Sequence, residues 1–238
     1  MLETQNRTIH YNIVRTKRKT IGISIDMTGK VKVSVPLYIA EKQIVEIVEK
    51  KTNWIIKKLG VVEEIKKNVV IRKLVNGEKL LYLGKEYELR IVEKDQSEVK
   101  VTFQNEAIIV YLPKGIKNDS KKQSIKKELI IWYKKSFSKL VKERIKDYSS
   151  RLNVTPCKVV IKEQKTRWGS CSAKGNINLN WRLVMAPISI IDYVIVHELC
   201  HMKVMNHSKS FWKEVELIIP DYIERRRWLK ENGHLLMN

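Results

Sequence analysis

Three of the five histidines in the 238-residue chain, His197, His201 and His207, fall within eleven consecutive positions. In His197-Glu198-Leu199-Cys200-His201 two imidazoles stand four residues apart. On an α-helix that spacing puts both on one face, within reach of a single Zn²⁺ about 2.0–2.1 Å from each nitrogen. Glu198, one residue past the first histidine, is turned off the metal axis toward a water rather than the ion, which makes it the candidate general base. His207 can complete the set if the helix ends soon after His201 and the chain turns back. Three protein ligands plus a water describe an open, catalytic site.

Several elements must place these groups. Ser189 and Asp192 form a capping-box pattern before the apolar run Tyr193-Val194-Ile195-Val196, so a helix is expected to begin at Ser189. A left-handed Asn206 would turn the chain toward His207. Ser208 is the expected N-cap of a helix over 209–219, whose Phe211 and Trp212 would pack it on the metal helix. Upstream, 158–163 reads as a strand, 165–172 as a tight loop and 176–183 as a second strand. In that second strand Ile177, Leu179, Trp181 and Leu183 share one face, and Asn176, Asn178, Asn180 and Arg182 share the other. As an exposed edge, this strand would accept an extended peptide through main-chain hydrogen bonds. Asn178, Asn180 and Arg182 are therefore candidate substrate contacts. Arg182 is the stronger candidate, since a guanidinium fixed near the metal would steady an oxyanion, carboxylate or phosphate, and Arg167 would either do likewise or, more commonly, brace its loop by a salt bridge. Asp192, Glu214 and Glu216 are candidates to orient the histidines.

The stretch from Tyr193 to His201, with Asn206-His207-Ser208 and Phe211-Trp212, resembles the YgjP-like metallopeptidase family, which is related to the SprT/Spartan and WLM zincin proteases. Thr166-Arg167-Trp168-Gly169-Ser170-Cys171-Ser172 and Asn178-Leu179-Asn180-Trp181-Arg182-Leu183 are similar to the same family's second signature. The resemblance implies a zinc-dependent hydrolase with His197, His201 and His207 as ligands and Glu198 as catalytic base. Val204 stands where metzincins place a glycine, so the turn before His207 must use other geometry.

The expected fold is α+β, a β-rich N-terminal region with interspersed helices followed by a zincin-like region whose HExxH helix packs on a small sheet. Residues 1–117 would form the first part and 118–238 the second. Ile21, Ile23 and Ile25 pair with Val31, Val33 and Val35 across a turn at 27–30, and the period then changes to an amphipathic helix over 41–59 that Gly60 would end. Strands are expected over 79–83, 86–91, 99–103 and 107–112, with Asn76-Gly77 as a turn. A long helix follows over 121–149, and a last one over 222–231. The two halves share a faint echo, hairpin, strand, proline and tryptophan-bearing helix, which is also a common way to alternate elements.

Hydrophobic residues make up 43% of the chain, enough for a real core, yet no apolar run approaches the eighteen residues of a membrane span. Met1 to His10 is polar and lacks a signal-peptide pattern, so a soluble cytoplasmic protein is expected. Cys157, Cys171 and Cys200, an odd number without finger spacing, fit a reducing compartment. The net charge is +21, and residues 114–165 carry sixteen Lys or Arg against five Asp or Glu. This surface suits nucleic acid or nucleotides as well as an acidic protein, although lysine-rich surfaces are often merely solvated. Three readings follow: a zinc metallopeptidase acting on peptide or protein, a metal-dependent nucleoside triphosphate pyrophosphatase or phosphohydrolase, and a DNA-associated repair protease.

Overall fold

The structure is a computed structural model that describes residues 2–3, 8–26, 28–67, 72–116, 118–164 and 166–237. By its internal contacts the chain forms two compact units, Met1–Val70 and Ile71–Asn238. Lys117, at the boundary expected from sequence, lies outside the described residues, as do Met27 of the first turn and Lys165 of the loop.

In the first unit the short pair β1 (Leu2–Glu3) and β2 (Thr8–Ile9) precedes β3 (Tyr11–Thr16), β4 (Gly22–Ile25) and β5 (Val31–Pro36). The isoleucines and valines pair as their alternation predicts, Ile23 opposite Val33 and Ile25 opposite Val31. Strand β3 runs parallel to β5, giving the order β3-β5-β4. Val31, Val33 and Val35 meet Ile44, Val48 and Ile55 in a core that excludes water. The expected single helix is two, α1 (Glu41–Lys50) and α2 (Thr52–Lys67), broken at Lys51. Gly60 sits inside α2 rather than ending it, because a glycine costs a helix interior only about 1 kcal/mol.

The second unit opens with β6 (Lys79–Tyr82), β7 (Lys85–Lys94), β8 (Lys100–Gln104) and β9 (Ala107–Pro113), in the order β6-β7-β9-β8. Gly77 takes φ +85 and donates to the Leu89 carbonyl, and the Asn76 side chain accepts from Ile91, so Asn76-Gly77 is a turn as expected. Helix α3 spans Asn118–Leu152. After it come β10 (Lys158–Lys162), β11 (Gly169–Cys171) and β12 (Asn176–Asn180), a 3-10 turn over Trp181–Met185, α4 (Ile188–Cys200), α5 (Lys209–Ile218), α6 (Tyr222–Asn232) and a final 3-10 turn, Gly233–Leu236. The fold class is α+β, with α4 packed against β11 and β12.

The echo between the halves becomes one topology used three times. In β3-β4-β5, β7-β8-β9 and β10-β11-β12 the first strand runs parallel to the third, and the second lies antiparallel on the third's far side. A helix follows each set and touches that second strand: α2 on β4, α3 on β8, α4 on β11.

Two expectations about the site's scaffold are corrected. Strand β12 is the centre of its sheet, paired with β10 on one side and β11 on the other, so it offers no edge to a peptide. It also stops at Asn180, whose side-chain oxygen accepts from the Arg182 N–H and turns the chain into the 3-10 segment. Trp181 and Leu183 stay buried, so their place in the alternation holds although the strand does not.

Candidate metal centre

Helix α4 is apolar nearly all round, and its buried residues run from Ile190 to Cys200 with only short interruptions. Its N-cap is Pro187 with no side-chain cap bond, not Ser189. Proline supplies a fixed φ there, and Asp192 is drawn elsewhere, to an ion pair with Arg144 of α3 at 3.3 Å. A fully buried helix of this kind holds its side chains in fixed directions, which a ligand set requires.

At its C-terminal end the helix tightens. The N–H groups of Met202, Lys203 and Val204 donate to the carbonyls of Leu199, Cys200 and Cys200. The Asn206 side chain then accepts from the Ser208 N–H at 3.1 Å, so the turn toward His207 is a side-chain bond and not a left-handed residue. His197, His201 and His207 each bring one nitrogen into a cluster no more than 4.8 Å across. The Nε2 atoms of His197 and His207 lie 3.0 Å apart. His201 Nδ1 lies 3.1 Å from the Val204 carbonyl. A carbonyl only accepts, so Nδ1 carries the proton and Nε2 keeps its lone pair. Phe211 of α5, fully buried, packs its ring 4.9, 4.5 and 4.9 Å from the three imidazole centroids and fixes their spacing.

Electrostatics favours the neutral form of His197 and of His201. Burial, together with the neighbouring His201, His207 and Arg226, pushes His197 down to about 3. Burial also lowers His201. At 3.0 Å the Nε2 atoms of His197 and His207 are close enough to share a proton in a hydrogen bond or to bind one cation between them. Three imidazole nitrogens suit a divalent transition metal with a position left open. Glu198 is 5% exposed and is pushed up to about 7, chiefly by burial, with Arg167 pulling the other way.

The sequence model of the YgjP-like, metallopeptidase domain family matches residues 19–232. The chain belongs to this family. A solved structure, the metallopeptidase zymogen of Pyrococcus abyssi abylysin, is similar at 28% identity over 38% of this chain and 93% of that chain, with a TM-score of 0.36. No curated protein sequence matches.

The other predicted site residues of this YgjP-like metallopeptidase are placed differently from one another. Asn178 donates to the Ser170 hydroxyl, tying β12 to β11. Asn180 is fully buried and holds the loop before β11, donating to the carbonyls of Gln164 and Arg167 at 2.8 and 3.2 Å. Arg182 is committed to Glu163 at 2.9 Å and lies over the Trp181 ring. Arg167 is exposed, its side chain has no hydrogen-bonded partner among the described residues, and its charge is felt at Glu198. Of the candidate orienting acids, Asp192 pairs with Arg144 and Glu214 with Lys203, while a backbone carbonyl orients His201.

Two further residues stand at the site. Gly169 of β11 lies so close to Glu198 that an added Cβ would meet its Oε1 at 2.5 Å. Arg226 of α6 lies 4.8 Å over Trp212, which itself packs on His207, and its charge reaches His197. The run Arg225-Arg226-Arg227 lies on the last helix, and its sequence does not show which arginine faces the histidines. Arg225 is tied to Asp221 and to the Ser189 carbonyl.

Proposed function

We propose that the protein is a zinc-dependent metallopeptidase in which His197, His201 and His207 hold the metal and Glu198 is the general base. The observation that carries this reading is the convergence of three imidazole nitrogens and, next in sequence to one of them, a buried carboxylate whose pKa is raised into the neutral range. Zinc, when bound, supplies Lewis acidity, lowering the pKa of a water toward ~7 and polarising a substrate carbonyl. Glu198 takes the proton of the attacking water and returns it to the leaving amine. Its burial matches it to that work, since a base that must also act as an acid is most effective with a pKa near the working pH.

Strand β11 is one of the two edges of the three-stranded sheet and the one that runs past Glu198, so an extended peptide paired to it would bring its carbonyl to the base. Asn178 and Asn180 support this strand from behind. Arg167, free of a hydrogen-bonded side-chain partner among the described residues, is the arginine suited to an anionic oxygen of the substrate. Arg167 and Arg226 together also favour a second reading, hydrolysis of nucleoside triphosphates by the same site.

Zinc-loaded wild type and Glu198→Gln, compared on an unfolded protein and on nucleoside triphosphates, test the two. Protein cleavage confined to the wild type is expected. Triphosphate hydrolysis confined to the wild type, without protein cleavage, overturns the substrate class.

A further inference from the structure

The threefold topology places the edge strand β8 under α3 as it places β11 under α4. The groove between β8 and α3 has a volume of about 500 Å³ and is walled by Val99, Val101 and Thr102 on one side and Ile131, Trp132 and Lys135 on the other. We propose that this groove is a second strand-accepting site, which takes an extended acidic polypeptide segment against the open edge of β8.

The first support is the phase of the edge. Asn105 and Glu106 join β8 to β9 and both have positive φ, +48 and +54, as in a two-residue type I′ hairpin. Such a turn makes its flanking pair, Gln104 and Ala107, a hydrogen-bonded one, and the pattern alternates from there. Thr102 and Lys100 therefore bond to β9, and Val101 and Phe103 turn their N–H and C=O groups outward. Those groups offer a docking strand donors and acceptors two residues apart.

The second support is the wall above the edge. Ile131, Lys135 and Lys139 follow one another at four-residue steps along α3, and Glu128 is the one carboxylate of the lining against Lys100, Lys135 and Lys139. Ile131 is 47% exposed, and no ion pair holds any of these lysines among the described residues. Like charges four apart weaken a helix, so the row does not serve the helix's own stability. An apolar step followed by two cations, in a lining whose lysines outnumber its single carboxylate, fits an extended chain that alternates apolar and carboxylate side chains. Charge complementarity selects the occupant, because a second copy of this chain would bring +21 to a row of lysines. A nucleic acid would use the lysines and leave the main-chain edge unread.

The test uses the full-length, zinc-loaded Glu198→Gln protein, so binding is read without turnover and stands or falls apart from the proposed chemistry. A fluorescein-labelled, end-capped decamer of alternating Val and Glu is titrated by anisotropy, beside the same peptide N-methylated at alternate residues. Binding is expected, weakened about tenfold or more by adding Lys135→Glu/Lys139→Glu, by adding Val101→Pro, and by N-methylation. Adding Lys42→Glu/Lys50→Glu, an equal change of charge on α1, is expected to leave binding as it was. Equal weakening by that control pair, equal binding of the N-methylated peptide, or binding of single-stranded DNA but not of the peptide each overturns the proposal. The lysine variants are solvent-exposed and the N-methylated peptide needs no variant, so misfolding of Val101→Pro does not decide the outcome.

Discussion

Gly169 and Glu198 touch: a β-carbon on Gly169 would lie 2.5 Å from Glu198 Oε1 and 2.7 Å from its Cγ. Strand β11 and the carboxylate are thus set at a distance only a residue without a side chain allows. Gly169→Ala is expected to displace Glu198 and to lower kcat/KM by about 100-fold, since an ångström of misplacement can cost that much. The melting temperature should move far less. Unchanged peptidase activity in this variant would mean that Glu198 relaxes without consequence.

The three histidines differ in how they are held, but the proposed zinc site needs all of them. Zinc raises the melting temperature of a protein that binds it only when folded. That rise is expected in wild type and in Glu198→Gln, and is expected to be lost or sharply reduced in His201→Ala and His207→Ala. Equilibrium dialysis should give one zinc per wild-type chain. Full zinc binding by either alanine variant would reject the ligand set.

Asn180 supports the loop before β11 from within the core. Its side chain makes three hydrogen bonds, to the carbonyls of Gln164 and Arg167 and from the Arg182 N–H. Asn180→Ala strands those partners in a buried setting and should cost about 1–3 kcal/mol in denaturant unfolding. It should also reduce activity, because the loop carries Arg167 and leads into Gly169. An undiminished unfolding midpoint would show that the loop holds without it.

In the metal-free protein, His197 and Glu198 have opposing pH effects. His197 is held at about 3 against an ordinary 6.5, so between those values the unfolded chain binds more protons and stability rises with pH. Glu198 is held at about 7 against 4.5, so between those values the folded chain binds more protons and stability falls as pH rises. The two slopes oppose each other from pH 4.5 to 6.5. With Glu198→Gln only the histidine slope remains. The melting temperature of that variant should therefore climb with pH across this interval more steeply than that of wild type, and parallel curves would count against the opposed pair.

Much of this protein is written locally. The spacing of His197, His201 and His207 names a metal-binding pattern because four residues is one helical turn, and the alternation of Ile21 to Val35 names a hairpin because strand side chains alternate. Helices α3, α5 and α6 lie within three residues of where their periodicity puts them. Other features depend on partners far along the chain. Whether the strand beginning at Asn176 is an edge depends on Lys158–Lys162 pairing beside it, a contact that alternation does not encode. Asp192 reads as a capping residue until Arg144, forty-eight positions earlier, claims it. Arg182 reads in sequence as the better anion binder and Arg167 as the one that would brace a loop, yet Glu163 occupies Arg182 while Arg167 remains without a hydrogen-bonded side-chain partner among the described residues. The sequence by itself determined which chemistry the histidines suit, since ligand type and helical period are local. Tertiary structure decided which strand borders Glu198, which arginines remain available and that Gly169 must lack a side chain, because edges, ion pairs and close approach arise only between segments brought together by folding.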